Sequence, residues 1–185
     1  MEIIKVEGYS YKELSNEAKE KAIEWGHEVV CEDDWYMQDD IFDEIAKDYG
    51  IKIRMSEACF DLDRGNYLAF ETYNHGQKKD YIKGIYIENE KKFCKKAGVK
   101  RNEEYSINIA HNHFAGGRIS NYIEADDYTE EEAQELHSVL MDCLGEIKTQ
   151  LHINYESMTS RESVEDFLEA NEYLFTAEGK RTFIL

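Results

Sequence analysis

The chain has no proline in its 185 residues, where about 5% would be usual. Without a proline- or serine-rich stretch there is no composition break to mark a linker. A single domain spanning residues 1–185 is therefore expected. Long apolar runs are absent too. None approaches the ~18 residues that a membrane-spanning helix needs, and residues 1–10 have neither a basic start nor an apolar stretch, so no signal peptide is expected. The four cysteines, Cys31, Cys59, Cys94 and Cys143, are widely spaced and form no CxxC pair. This argues against a zinc ribbon or a redox motif and favours reduced thiols in a cytoplasmic setting. No cysteine has an obvious histidine partner, so a thiol nucleophile is not expected. The phosphate-loop, dinucleotide, serine-hydrolase and HExxH signatures are all missing. No catalytic residue, metal or cofactor is expected.

Basic residues are missing from long windows. None lies between Lys21 and Lys47, between Arg118 and Lys148, or between Arg161 and Lys180. These windows hold nine, nine and six acids, 24 of the 40 in the chain, which carries a formal net charge of -18. Such a surface repels nucleic acid and attracts proteins that bind nucleic acid. The plainer reading is a solvated face that keeps the protein soluble. A surface built for solubility alone would intersperse lysine. Here Glu24, Glu28 and Glu32, and then Asp39 and Asp43, repeat at four-residue steps with nothing to relieve them. Like charges one turn apart cost a few tenths of a kcal/mol per pair. The expected partner-binding residues are Glu32, Asp33, Asp34, Asp39, Asp40, Asp43 and Glu44, then Glu124, Asp126, Asp127, Glu130 and Glu131.

Thirteen tyrosines and eight phenylalanines argue for a folded body, since disordered chains are poor in aromatics. The chain is also rich in Lys, Asn, Ile, Tyr and Glu, the bias of an AT-rich coding sequence as in low-GC bacteria and their phages. Residues 1–6 suggest a short strand. Ser15 suits an N-cap for a helix to about Val30, with Ala18, Ala22, Trp25, Gly26 and Val29 on its apolar stripe. Asp33 or Asp34 would cap a second helix carrying Trp35, Ile41, Phe42, Ile45 and Tyr49, stopped by Gly50. A strand over residues 51–53 follows, then a hairpin over residues 59–73 turning at residues 64–66.

Residues 78–101 form the one basic stretch, a candidate insertion, with a short helix near residues 88–97. Its Lys91, Lys92, Lys95 and Lys96 could touch nucleic acid directly or pair with acids inside the fold. A second hairpin turns at Gly116 and Gly117. Thr129 and Glu132 make a capping box for a helix with Leu136, Val139, Leu140, Cys143, Leu144, Ile147 and Leu151 on one face. Thr159 and Glu162 suggest another before a shorter helix, and the tail suggests a hairpin about Gly179. The expected class is α+β, an antiparallel sheet of hairpins with amphipathic helices packed on one face.

Two constellations suggest metal chemistry. His111 and His113 share a strand face, as do Asp61 and Asp63, and paired acids of this kind occur in two-metal nucleases. Neither has further ligands at a recognisable spacing. The plainer readings are an ordinary strand face and, for Asp63 onward, turn chemistry.

Three segments carry a resemblance: YSYKELSNEAKEKAIEW (residues 9–25), CFDLDRGNYLAFE (residues 59–71) and SRESVEDFLEANEYLFTAEGK (residues 160–180). In this order they resemble an antitoxin-like family of small proteins from phages and mobile elements. The basic stretch and the His111-Asn112-His113 tripeptide lie outside that pattern, and the resemblance transfers no catalytic residue. It implies a phage accessory gene acting in the bacterial cytoplasm. Such genes often encode inhibitors of host defence, including anti-CRISPR proteins, which frequently occupy the DNA-binding cleft of an effector nuclease with acidic surfaces. The leading expectation is a non-enzymatic inhibitor of this kind. The alternatives are an antitoxin that binds a cognate toxin and a metal-dependent nuclease using His111, His113, Asp61 and Asp63.

Overall fold

The computed structural model describes residues 7–32, 41–54, 58–61, 67–70, 72–74, 80–82, 84–104, 106–113, 119–125 and 127–182. In chain order the elements are β1 (Tyr9–Ser10), a 3-10 turn (Tyr11–Glu13), α1 (Asn16–Glu32), α2 (Ile41–Tyr49), β2 (Ile51–Ile53), β3 (Ala58–Asp61), β4 (Tyr67–Phe70), β5 (Thr72–Asn74), β6 (Asp80–Ile82), β7 (Ile85–Ile87), α3 (Glu90–Lys96), β8 (Asn108–His113), β9 (Ile119–Glu124), α4 (Glu130–Met158), α5 (Arg161–Ala170) and β10 (Leu174–Phe175). The class is mixed α+β with antiparallel pairing. Among the described residues the strands fall into four sheets, β1-β10, β2-β7, β3-β4 and β5-β6-β8-β9. The expected strand over residues 1–6 and the caps Asp33 and Asp34 lie outside the described residues. No described helix is long and apolar enough to cross a membrane.

The chain divides into two compact units, residues 1–36 with 152–185, and residues 37–151. The first unit is built around Tyr11, Leu14, Ala18, Ala22, Val164, Leu168 and Phe175. Small residues on α1 let α5 come close. A Cβ added at Gly26 would lie 2.9 Å from both Val164 Cγ1 and Leu168 Cδ2. The buried stripe of α1 is Ala18, Ala22, Gly26 and Val30. Val30 takes the place expected of Val29, because four-residue steps hold one face for this short distance. Trp25 stays half-buried and meets Tyr173 edge-on, with ring centroids 5.1 Å apart.

Two local expectations need correction in this unit. Ser160, not Thr159, caps α5: its side chain accepts the Ser163 N–H. Thr159 follows the end of α4, and its hydroxyl donates to the Tyr155 carbonyl at 2.7 Å. The tail does turn at Gly179, whose φ is +84° and whose N–H meets the Thr176 carbonyl at 2.9 Å. The return, however, is a single bridge between Phe175 and Arg181. The strand partner of β10 is β1, with Tyr9 opposite Phe175 and Ser10 opposite Leu174. A pairing that joins the two ends of the chain leaves no local turn signal to read.

In the second unit β2 pairs with β7, placing Ile51 opposite Ile87 and Ile53 opposite Ile85. Gly50 ends α2 at φ +76°, and its carbonyl accepts the N–H groups of both Glu88 and Asn89 at 2.9 Å. β3 pairs antiparallel with β4, and Thr72–Asn74 pairs with β6. β8 pairs antiparallel with β9, in register from Asn108 opposite Glu124 to His113 opposite Ile119. The basic stretch forms β6, β7 and α3. Asn89 caps α3 through the Lys92 N–H, and Phe93 and Cys94 are buried. At α4 the Thr129–Glu132 capping box is present, with the Thr129 N–H and hydroxyl both 3.0 Å from the Glu132 carboxylate. The seven residues expected on the apolar face of α4 are all buried.

Candidate partner-binding surfaces

Helix α1 turns Ala18, Ala22 and Gly26 inward, and this fixes where its acids point. Glu17, Glu20, Glu24, Glu28 and Glu32 are all exposed, within an arc of about 120° at 3.6 residues per turn. Glu20 has a cation: its carboxylate takes two hydrogen bonds from Arg161, at 2.8 and 3.0 Å, and its pKa is held low. Among the described residues Glu24, Glu28 and Glu32 have no ion-pair partner. The last turn of α1 contains no base. That end of a helix carries the partial negative charge of its free carbonyls, so carboxylates there are unfavourable.

The other acids sit differently. Asp43 and Glu44 occupy the first turn of α2, and Glu130 and Glu131 the first turn of α4. All four are exposed, but each stands at the positive end of a helix dipole, a stabilising position. Glu132 closes the capping box. Asp127 is exposed in the turn before α4. Glu124 ends β9 opposite Asn108. Asp33, Asp34, Asp39, Asp40 and Asp126 lie outside the described residues. Of the residues expected from sequence, Glu32 belongs to the first unit, and Asp43, Glu44, Glu124, Asp127, Glu130 and Glu131 to the second. Glu24 and Glu28 precede Glu32 in a row that the expected partner-binding residues do not include. Its signal was present in the four-residue spacing, but only the buried face of α1 shows which way the row looks.

Several described bases of the second unit are engaged. Lys92 donates from Nζ to the Lys47 carbonyl at 2.7 Å and to Asp48 at 3.2 Å, closing the C-terminus of α2. Lys96 stands 3.4 Å from the centre of the Tyr49 ring. Arg101 holds Glu90 with two hydrogen bonds, at 2.8 and 3.0 Å, and the other oxygen of Glu90 accepts the Ile107 N–H at 3.3 Å. Lys91 and Lys95 are exposed. The Tyr49 hydroxyl donates to Glu146, so this acid of α4 faces a neighbour in its own unit. Burial first, then the Glu146 carboxylate, raises the Tyr49 pKa. A polar recess of about 460 Å³ is lined by Lys100, Arg101, Asn102, Glu103, Asp127 and Tyr128, among others.

Little gathers around the expected metal residues. His111 and His113 are on β8 and Asp61 is on β3, in different sheets, and Asp63 lies outside the described residues. No group of three or more His, Cys, Asp or Glu among the described residues is arranged to hold a metal. One expectation about thiols is overturned. Cys31 has a histidine partner, with Sγ 3.5 Å from His27 Nδ1. The two are four residues apart on one helix face, a relation that becomes visible only once the helix is assigned. Cys94 and Cys143 are buried, and burial pushes the Cys143 thiol up to about 12.

No family model, no curated protein and no solved structure matches this chain.

Proposed function

We propose that this protein is a non-enzymatic inhibitor. It binds a basic, nucleic-acid-binding enzyme through exposed carboxylate rows and competes with the nucleic acid. A phage or mobile-element setting makes an RNA-guided CRISPR nuclease the favoured target, with binding in the bacterial cytoplasm. The observation that carries the reading is the row Glu24, Glu28 and Glu32. These carboxylates repel one another, lie toward the unfavourable end of the α1 dipole and have no cation among the described residues. A basic partner would supply the missing charge. Asp43, Glu44, Asp127, Glu130 and Glu131, with Asp33, Asp34, Asp39, Asp40, Glu124 and Asp126, are the further carboxylates this reading assigns to partner binding. Lys91 and Lys95 remain open to nucleic acid. The architecture that goes with it is an antiparallel sheet covered by amphipathic helices on one face.

The test is DNA cleavage by a guide-loaded effector from a low-GC host, with the wild-type protein and with Glu24→Gln/Glu28→Gln/Glu32→Gln. Inhibition by the wild type, weakened at least ~10-fold in the variant and falling steeply with added salt, supports the reading. Inhibition that ignores both the substitutions and the salt removes charge as its basis.

An antitoxin is the second reading. Met141 is 48% exposed on α4, in a shallow recess with Glu131 and Glu135, the mixed apolar and acidic surface that a toxin-binding interface would use. Growth rescue on co-expression with a cognate toxin, lost on Met141→Lys, would distinguish it from the first.

A further inference from the structure

We propose that the outward face of α4, from Glu131 to Gly145, is a docking surface for a basic amphipathic helix of a partner protein. The proposal rests on the reading of this chain as a partner-binding protein and names the kind of segment that α4 receives. The whole face lies in the second unit. Leu136, Leu140, Cys143 and Ile147 turn to the core. Opposite them stand Glu131, Glu135, Ser138, Met141, Asp142 and Gly145, all exposed, within an arc of about 120° at 3.6 residues per turn. The face is about 21 Å long at 1.5 Å per residue.

Its shape suits a helix. Met141, a large apolar side chain, is left 48% exposed. It borders a recess of about 440 Å³ shared with Glu131, Glu135 and Ser138. Gly145 follows one turn later, and a Cβ built there meets nothing within 4 Å among the described residues. Alanine serves a helix interior better, so packing among the described residues does not call for this glycine. Its bare backbone, two turns after the small Ser138, lets a second helix come close. Methionine is unbranched and adapts to the apolar residues such a helix presents.

Charge selects the occupant. Glu131, Glu135 and Asp142 line one side of the face, away from Met141, and none has an ion-pair partner among the described residues. The chain has no base between Arg118 and Lys148, so this stretch of α4 supplies none itself. A second copy would bring like carboxylates together on this face, and nucleic acid would be repelled. Lysine or arginine beside the apolar stripe of a partner helix complements the three acids.

The experiment is fluorescence anisotropy of a labelled Leu/Lys peptide of about 18 residues, ~27 Å long as a helix and so able to span the face. Its leucines recur at three- and four-residue steps, and a scrambled peptide of the same composition controls for charge alone. The full-length wild type should bind the amphipathic peptide at least ~10-fold more tightly than the scrambled one. Met141→Gln and Gly145→Gln should each abolish that preference. Glu131→Gln/Glu135→Gln should weaken binding and flatten its salt dependence. Glu24→Gln/Glu28→Gln/Glu32→Gln should keep the preference. Circular dichroism confirms that each variant is folded. Equal binding of the two peptides, or a preference that survives both Met141→Gln and Gly145→Gln, overturns the proposal. So does a wild-type dimer in analytical ultracentrifugation that Met141→Gln dissociates. Each of these results leaves the cleavage test of the α1 row standing on its own.

Discussion

Helix α3 repeats lysine at four-residue steps, and helix α1 repeats glutamate at the same steps. Within its own unit, α3 directs Lys92 to the carbonyl end of α2 and Lys96 to the ring of Tyr49, and Arg101, just beyond it, clasps Glu90. In α1, Glu20 meets Arg161, while Glu24, Glu28 and Glu32 meet no cation among the described residues. The two rows look equivalent in sequence, yet one helps to hold its unit together and the other is displayed. A run of like charge therefore carries functional information only after the charges with internal partners have been set aside.

The largest expected effect tests the α3 side of this contrast. Phe93 is fully buried, and Phe93→Ala should cost about 3–5 kcal/mol in denaturant unfolding, as large aromatic truncations do. A cost below about 1 kcal/mol, typical of a surface substitution, would mean that the basic stretch is a dispensable insertion.

A smaller effect concerns the exception within α1. Arg161, which binds Glu20, also donates to Glu165 at 2.9 Å, and Glu165 accepts from the Tyr11 hydroxyl at 2.9 Å. Burial first, then the Glu165 carboxylate, pushes the Tyr11 pKa up to about 12. The fold thus favours the neutral phenol. Its contribution is complete below the unfolded value of about 10 and is lost as pH rises through about 12. Stability measured across this range should decline less steeply in Tyr11→Phe than in the wild type. An unchanged slope would show that the network does not restrain the phenol.

The smallest effect belongs to the displayed row. Glu24→Gln/Glu28→Gln/Glu32→Gln should leave the thermal midpoint nearly unchanged or raise it slightly, because each like-charge pair removed is worth only a few tenths of a kcal/mol. A marked loss of stability would reveal an internal partner for the row and end the contrast with α3.

The sequence determined what depends on neighbours a few residues apart. It marked the Thr129–Glu132 capping box, the basic helix α3, the strands β8 and β9 and the apolar faces of α1 and α4, because hydrogen bonds and side-chain rows within one or two turns are written in local spacing. Even there, Thr159 and Ser160 offered competing caps, and only the backbone geometry chose Ser160. Tertiary structure decided what depends on residues far apart in the chain. It paired β1 with β10, brought Arg161 to Glu20, and set Lys92 on the end of α2. The same separation governs the candidate site. The sequence supplied the rows of charge, but whether a carboxylate is neutralised depends on a cation brought near by folding, and the Coulomb interaction depends on distance in space, not along the chain.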